Sequence, residues 1–125
     1  MKMLGESRED YLKAILIISD GGTISVRPSE IAKRLNVTYP SVTRAVKLLG
    51  GDGLIEYDAC GKIVLTDSGK AIAQKVLDKH HRITGWLLKA GVARDKAEKE
   101  ACRMEHCISD DTFQKLHSLM KDETF

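Results

Sequence analysis

Apolar residues recur at helical spacing over residues 8–19. Tyr11, Leu12, Ala14, Ile15, Leu16 and Ile18 share one broad face, and Gly21-Gly22 closes the segment. Residues 29–35 are predicted to form a short amphipathic helix with Ser29 as its N-cap. Asn36-Val37-Thr38 breaks the pattern. Thr38 then precedes a second helix that carries Pro40 in its first turn, where the missing N–H does no harm. Val42, Val46 and Leu49 form its inward stripe as far as Gly50-Gly51. The period then shortens: residues 54–57 and 63–66 read as strands joined by a turn at 58–62. Residues 66–69 open a long helix, which Ile72, Val76, Ile83 and Leu87 extend to about Gly91. A polar segment from Ala93 starts another helix through Ile108. Ser109-Asp110-Asp111-Thr112 starts the last helix, with Phe113, Leu116, Leu119 and Met120 on one face. The expected fold is mainly α. A winged helix-turn-helix domain over residues 1–70 precedes a helical domain over residues 71–125.

Composition narrows the function. At 125 residues the chain is one domain, or a small domain with an appendage, which excludes the large α/β enzyme folds. Nothing approaches the ~20 consecutive apolar residues of a membrane span, and Met1-Lys2-Met3-Leu4-Gly5-Glu6 has no apolar signal region. Three cysteines, an odd number, without such a signal argue for a reducing cytoplasm and for thiols or metal ligands rather than disulfides. No nucleophile–base pairing stands out beyond the metal-ligating types, and the chain is too short for a deep pocket. An enzyme with a small organic substrate is therefore not expected.

The net charge of only +2 hides a local asymmetry. Residues 31–51 contain no Asp or Glu but hold Lys33, Arg34, Arg44 and Lys47. A basic helix-turn-helix suits double-stranded DNA. The second of its helices opens Thr38-Tyr39-Pro40-Ser41-Val42-Thr43-Arg44. Hydroxyls and free N–H groups at that end reach phosphates or base edges. Arg44 and Lys47 share a face for the same purpose, and Lys62 in the wing adds a phosphate or minor-groove contact.

The densest chemistry is Glu100-Ala101-Cys102-Arg103-Met104-Glu105-His106-Cys107. On a helix, Cys102, Glu105 and His106 stand at i, i+3 and i+4 and project together. A thiolate, a carboxylate and an imidazole within one turn form part of a transition-metal site. His80-His81 and Asp10 are further candidate ligands. Cys107 lies off that face and is expected in the core, and Cys60 is an incidental thiol in the wing turn. Structural zinc on Cys102, His106 and Cys107 is a competing use of the same residues, as is a plain dimerisation bundle without metal.

These stretches resemble the diphtheria-toxin-repressor family of metal-dependent transcriptional repressors, which includes iron- and manganese-dependent regulators. The resemblance runs through Glu9-Asp10-Tyr11-Leu12-Lys13-Ala14-Ile15, Ile31-Ala32-Lys33-Arg34-Leu35-Asn36-Val37, Pro40-Ser41-Val42-Thr43, Asp52-Gly53-Leu54-Ile55 and Leu65-Thr66-Asp67-Ser68-Gly69-Lys70. It ends in the segment from Glu100 to Asp110, the most specific of them. It implies a two-domain chain without the third, SH3-like domain of larger members. It also implies a homodimer and a main metal site on Asp10, Cys102, Glu105 and His106. Asp10 occupies a position that is Met in iron-type members and Asp in manganese-type members. Cys102 occupies one that is Cys in iron-type members and Glu in manganese-type members, so the chain mixes the two types. An ancillary site would draw on His81 and Glu98, and on His80. Gly85 stands where the family has a glutamate, and Lys13 where manganese-type members have a carboxylate. The implied function is metal-activated repression at palindromic operators of metal-uptake genes. The thiolate favours Fe²⁺, with Mn²⁺ second because Asp10 is a hard ligand.

Overall fold

The computed structural model describes the backbone of residues 4–121 and the side chains of residues 8–120. The chain divides into two compact units at the Lys75–Val76 junction.

The first unit begins with helix α1 (Leu4–Ile18). Tyr11, Leu12, Ala14, Ile15 and Leu16 are all buried, as the apolar stripe requires. A turn at Asp20, Gly21 and Gly22, all at positive φ, ends it. Helix α2 (Pro28–Leu35) starts one residue earlier than its sequence suggests. Ser29 is not its cap. Arg27 is the N-cap, Pro28 takes the first helical position, and Glu30 reaches back to accept the Arg27 amide at 2.9 Å. Asn36, left-handed at φ 55°, closes α2. Thr38 caps α3 (Tyr39–Gly51), as expected, by accepting the Ser41 amide at 3.3 Å. Val42, Val46 and Leu49 are buried.

Strands β1 (Ile55–Tyr57) and β2 (Ile63–Leu65) pair antiparallel, Glu56 opposite Val64. They are a residue shorter than their patterns at Leu54 and Thr66. A single further bridge, Val26 to Ile63, lengthens the sheet by two backbone hydrogen bonds of 2.8 and 2.7 Å. One residue leaves no periodicity, so the sequence carries no sign of it. Arg8 on α1 also pairs with Asp52 at the end of α3.

Helix α4 (Asp67–Lys89) begins under Thr66, whose hydroxyl accepts the Gly69 amide at 3.1 Å. Ile72, assigned to its inward stripe, is exposed; Ala73 and Val76 are buried in its place. In the second unit α4 is joined by α5 (Arg94–Met104) and α6 (Asp110–Lys121). The core there is small. Ile83, Ala101 and Phe113 are buried and flanked by Trp86, Leu87 and Ile108, with the Trp86 and Phe113 rings stacked at 5.7 Å. The helix expected to reach Ile108 stops at Met104. Glu105 still donates its amide to Ala101, but His106 and Cys107 donate to the carbonyls three residues back, so the last turn tightens. On α6, Leu119 is exposed rather than inward.

Two glycines separate fold from tolerance. A Cβ on Gly69 would stand 2.0 Å from the Leu54 carbonyl oxygen, whereas one on Gly85 would meet nothing within 4 Å. Gly69→Ala should therefore destabilise the protein by about 1–3 kcal/mol. Gly85→Ala should stabilise α4 by about 0.5–1 kcal/mol. Thermal melts of both variants check the opposite signs.

Candidate metal centre and nucleic-acid interface

In the first unit, burial sorts the residues of α3 into two arcs. Val42, Val46 and Leu49 face the core, while Tyr39, Pro40, Thr43, Arg44 and Lys47 face solvent and Ser41 is half-buried. The basic residues Lys33 and Arg34 are exposed on α2. With no acidic side chain between residues 31 and 51, this surface is uniformly positive. Thr38 and Ser41 share a hydroxyl–hydroxyl bond of 2.8 Å, and Thr43 donates to the Tyr39 carbonyl at 3.2 Å. The hydroxyls are thus pre-oriented by their own helix. Leu48, 52% exposed beside Lys47, is an apolar member of this face that the charge pattern did not mark.

The wing turn is built on Asp58. Its carboxylate accepts the amides of Cys60 and Lys62, each at 2.9 Å, and its own amide donates to the Lys62 carbonyl at 2.8 Å. Gly61 supplies the positive φ of 78° that the tight turn needs. The Lys62 amide, then the Ser25 side chain and the Cys60 amide, hold the Asp58 carboxyl below its ordinary value of 3.8. Lys62 itself is half-buried, over an open cleft it shares with Ile24, Arg27 and Glu30. Cys60 is exposed.

The second unit carries the metal-ligating types. Cys102 lies in the last turn of α5, Glu105 caps it and His106 follows. A ring nitrogen of His106 and the Cys102 Sγ lie within 4.8 Å of each other, both side chains half-buried. Glu105 is 1% exposed, the least accessible carboxylate among the described residues. One of its oxygens, Oε1, lies 3.3 Å from Nδ1 of His80 on α4. The tightened turn after Met104 keeps Cys102 and His106 close although the regular helix has ended, while Glu105 turns toward His80. Thiolate, carboxylate and imidazole within a half-buried turn are a donor set that fits a divalent transition metal.

Two other candidates stand apart from that turn. His81 is exposed on α4, and Glu98 is exposed on α5, where it pairs with Arg94 at 3.7 Å. Neither joins a group of three or more metal-capable side chains among the described residues. Cys107, expected in the core, is exposed, because the turn that follows α5 swings it outward. Asp10 is half-buried on α1 of the first unit. Lys79 was not anticipated. Its ammonium pairs with Asp110 at 2.8 Å, donates to the Ile108 carbonyl at 3.3 Å and lies 5.9 Å over the Phe113 ring. It fastens the segment after the ligands to α4. No sequence signal marks one lysine for a partner 29 residues away.

Residues 3–61 match the model of an iron dependent repressor N-terminal DNA binding domain. Residues 66–124 match that of the iron dependent repressor metal binding and dimerisation domain. The chain belongs to the iron-dependent repressor family. It is 34% identical over 119 residues to an uncharacterised HTH-type transcriptional regulator of Methanocaldococcus jannaschii, covering 94% of this chain and 95% of that one. It is 33% identical over 124 residues to the diphtheria toxin repressor of Corynebacterium diphtheriae, covering 98% of this chain but 54% of the repressor. Against most of these curated repressors, then, the chain spans about half their length. Among solved structures, the manganese regulator SloR superposes with a TM-score of 0.81 at 28% identity, over 93% of this chain and 54% of SloR. The T. acidophilum IdeR structure gives 0.73 at 28% identity, over 97% of this chain and 56% of that one. The two domains are those of a metal-dependent transcriptional repressor, a family of DNA-binding regulators and not of enzymes. Among the described residues, no helix is long and apolar enough to cross a membrane.

The depressed Asp58 carboxyl has a measurable consequence. Its folded value lies below its unfolded one, so the order it lends the wing is complete above about pH 4 and fades as pH falls through the folded value. In NMR titrations Asp58 should ionise below 3.8. In Asp58→Ala, amide exchange at Cys60 and Lys62 should accelerate while the amides of α3 stay protected.

Proposed function

We propose that this chain works as a homodimeric, cytoplasmic repressor whose DNA binding is switched on by Fe²⁺, with Mn²⁺ as the second choice, at palindromic operators of metal-uptake genes. The observation that carries the reading is Cys102 and His106 standing beside the buried Glu105 within the domain matched as metal binding. Asp10 is assigned as their fourth partner from the motif it shares with the family. His81 and Glu98 are assigned to an ancillary site on the same ground. When bound, a divalent metal supplies the positive charge that lets a thiolate and carboxylates share one site.

The rest follows from this chain's own residues. Asp10 belongs to the helix packed under the helix-turn-helix, and Cys102, Glu105 and His106 belong to the dimerising unit. Without shared coordination these acidic groups repel one another and the two domains keep their mutual freedom. Ordering them beforehand reduces the entropy lost when two α3 helices enter successive major grooves about 34 Å apart. Thr38, Tyr39, Pro40, Ser41 and Thr43 would meet phosphates or base edges, Arg44 and Lys47 bases or phosphates, and Lys62 the backbone beside the wing. A dimer is supported by the small core of the second unit and by exposed Leu119 beside half-buried Leu116 and Met120. The metal preference follows from softness. Cys102 favours Fe²⁺ over Mn²⁺, and Asp10 keeps Mn²⁺ as the alternative. Relatives named for iron and for manganese leave both metals in play.

The test is an anaerobic titration of metal-free protein on a palindromic promoter fragment with Fe²⁺, Mn²⁺ and Zn²⁺ in turn. DNA affinity should rise about 5–150-fold with the preferred metal, the usual size of a coupling between two sites. Cys102→Ala should abolish the rise. Tight binding indifferent to all three metals would leave a plain winged-helix dimer. In the metal-loaded protein, Arg44→Ala should cost about 1–3 kcal/mol and relax specificity if Arg44 reads a base. A uniform loss with a shallower salt dependence assigns it to phosphate instead.

A further inference from the structure

We propose that His80, and not its neighbour His81, serves the main metal centre, as a positioning residue that holds the Glu105 carboxylate in place rather than as a ligand. This rests on the assignment of Glu105 to the metal site. Three observations support it. First, the two adjacent histidines of α4 differ in environment. The His80 side chain is 19% exposed and directed at Glu105, whereas His81 is exposed. Second, the contact joins Nδ1 to Oε1 at 3.3 Å across 25 residues of sequence, from the middle of α4 to the cap of α5. Nδ1 is assigned as the donor and the carboxylate oxygen as the acceptor, since a carboxylate has only lone pairs to offer. Third, Glu105 is 1% exposed and sits where α5 gives way to a tightened turn. A side chain at the end of a helix has few neighbours in its own element to fix its rotamer. A donor from α4 fixes the direction of one oxygen, and with it the direction of the other.

Ligating carboxylates are commonly oriented by such outer hydrogen bonds, and losing one costs about 10–100-fold in metal affinity. The backbone around His80 is also held: Thr84 donates its hydroxyl to the His80 carbonyl at 2.7 Å, and adjacent Lys79 ties α4 to Ile108 and Asp110. The ring therefore approaches Glu105 from a stretch of α4 that Lys79 ties to the residues after the turn.

The test uses Co²⁺ binding to the full chain in a Cys60→Ser, Cys107→Ser background, so that Cys102 is the only thiol. The parent should show a thiolate-to-cobalt charge-transfer band that disappears in Cys102→Ala. Absence of that band would overturn the metal assignment itself, and the proposal with it. Given the band, His80→Leu should weaken Co²⁺ affinity about 10–100-fold while the band keeps its position, because the ligands are unchanged. His80→Asn, whose amide nitrogen can take the place of Nδ1, should recover most of the loss. Parent-like affinity in His80→Leu would overturn the proposal. So would a changed band together with failure of Asn to rescue, which would make His80 a ligand. A readout without substitution of His80 stands beside these: ¹⁵N NMR of the metal-free protein should show the Nδ1–H tautomer at His80, lost in Glu105→Gln. An Nε2–H tautomer in the parent would likewise overturn it.

Discussion

A carboxylate taken almost wholly out of water must be compensated locally, and Glu105 is such a group. Its position makes it the organising constraint of the second unit. It caps α5, faces the His80 ring on α4 and lies in sequence between Cys102 and His106. The buried cluster of that unit, Ile83, Ala101 and Phe113, brings α4, α5 and α6 together closely enough for the contact to form. Lys79 adds a second tie from α4 to the segment beyond the ligands. A small core with polar ties at its edge holds donors at fixed positions but adds little stability of its own.

The first unit has the opposite economy. Its core is large for its length, fed by three helices and a hairpin, and its surface carries the asymmetry. Burial of Val42, Val46 and Leu49 fixes which arc of α3 is outward, and that arc carries Tyr39, Thr43, Arg44 and Lys47. The absence of acidic residues from 31 to 51 then makes one face of a nearly neutral chain strongly positive. Hydroxyls at the start of α3 are already engaged with their own helix, and the wing turn is already closed on Asp58. The candidate interface is preorganised, which would limit the ordering cost of binding.

Much of this was legible in the amino-acid order. Helical periodicity marked every helix, and Thr38 marked the start of α3, because capping and amphipathic burial are local effects. The Cys102–His106 spacing marked a turn that brings a thiol and an imidazole together for the same reason. What went astray depended on contacts made elsewhere. Ser29 is a good cap in isolation, but Arg27, Pro28 and Glu30 together make a better start for α2. Cys107 has the character of a core residue, yet the turn after Met104 leaves it outside. Ile72 and Leu119 fit an inward stripe and are exposed.

The sequence by itself determined the order of the elements, the acid-free stretch of the helix-turn-helix and the clustering of metal-ligating residue types, since each depends on neighbours within a few residues. Only the tertiary structure decided which histidine of the His80-His81 pair meets Glu105, where Lys79 is fastened, and that Val26 joins the hairpin. Adjacent residues on a helix point about 100° apart. Chemically identical neighbours are therefore told apart only by what the rest of the chain brings to one side.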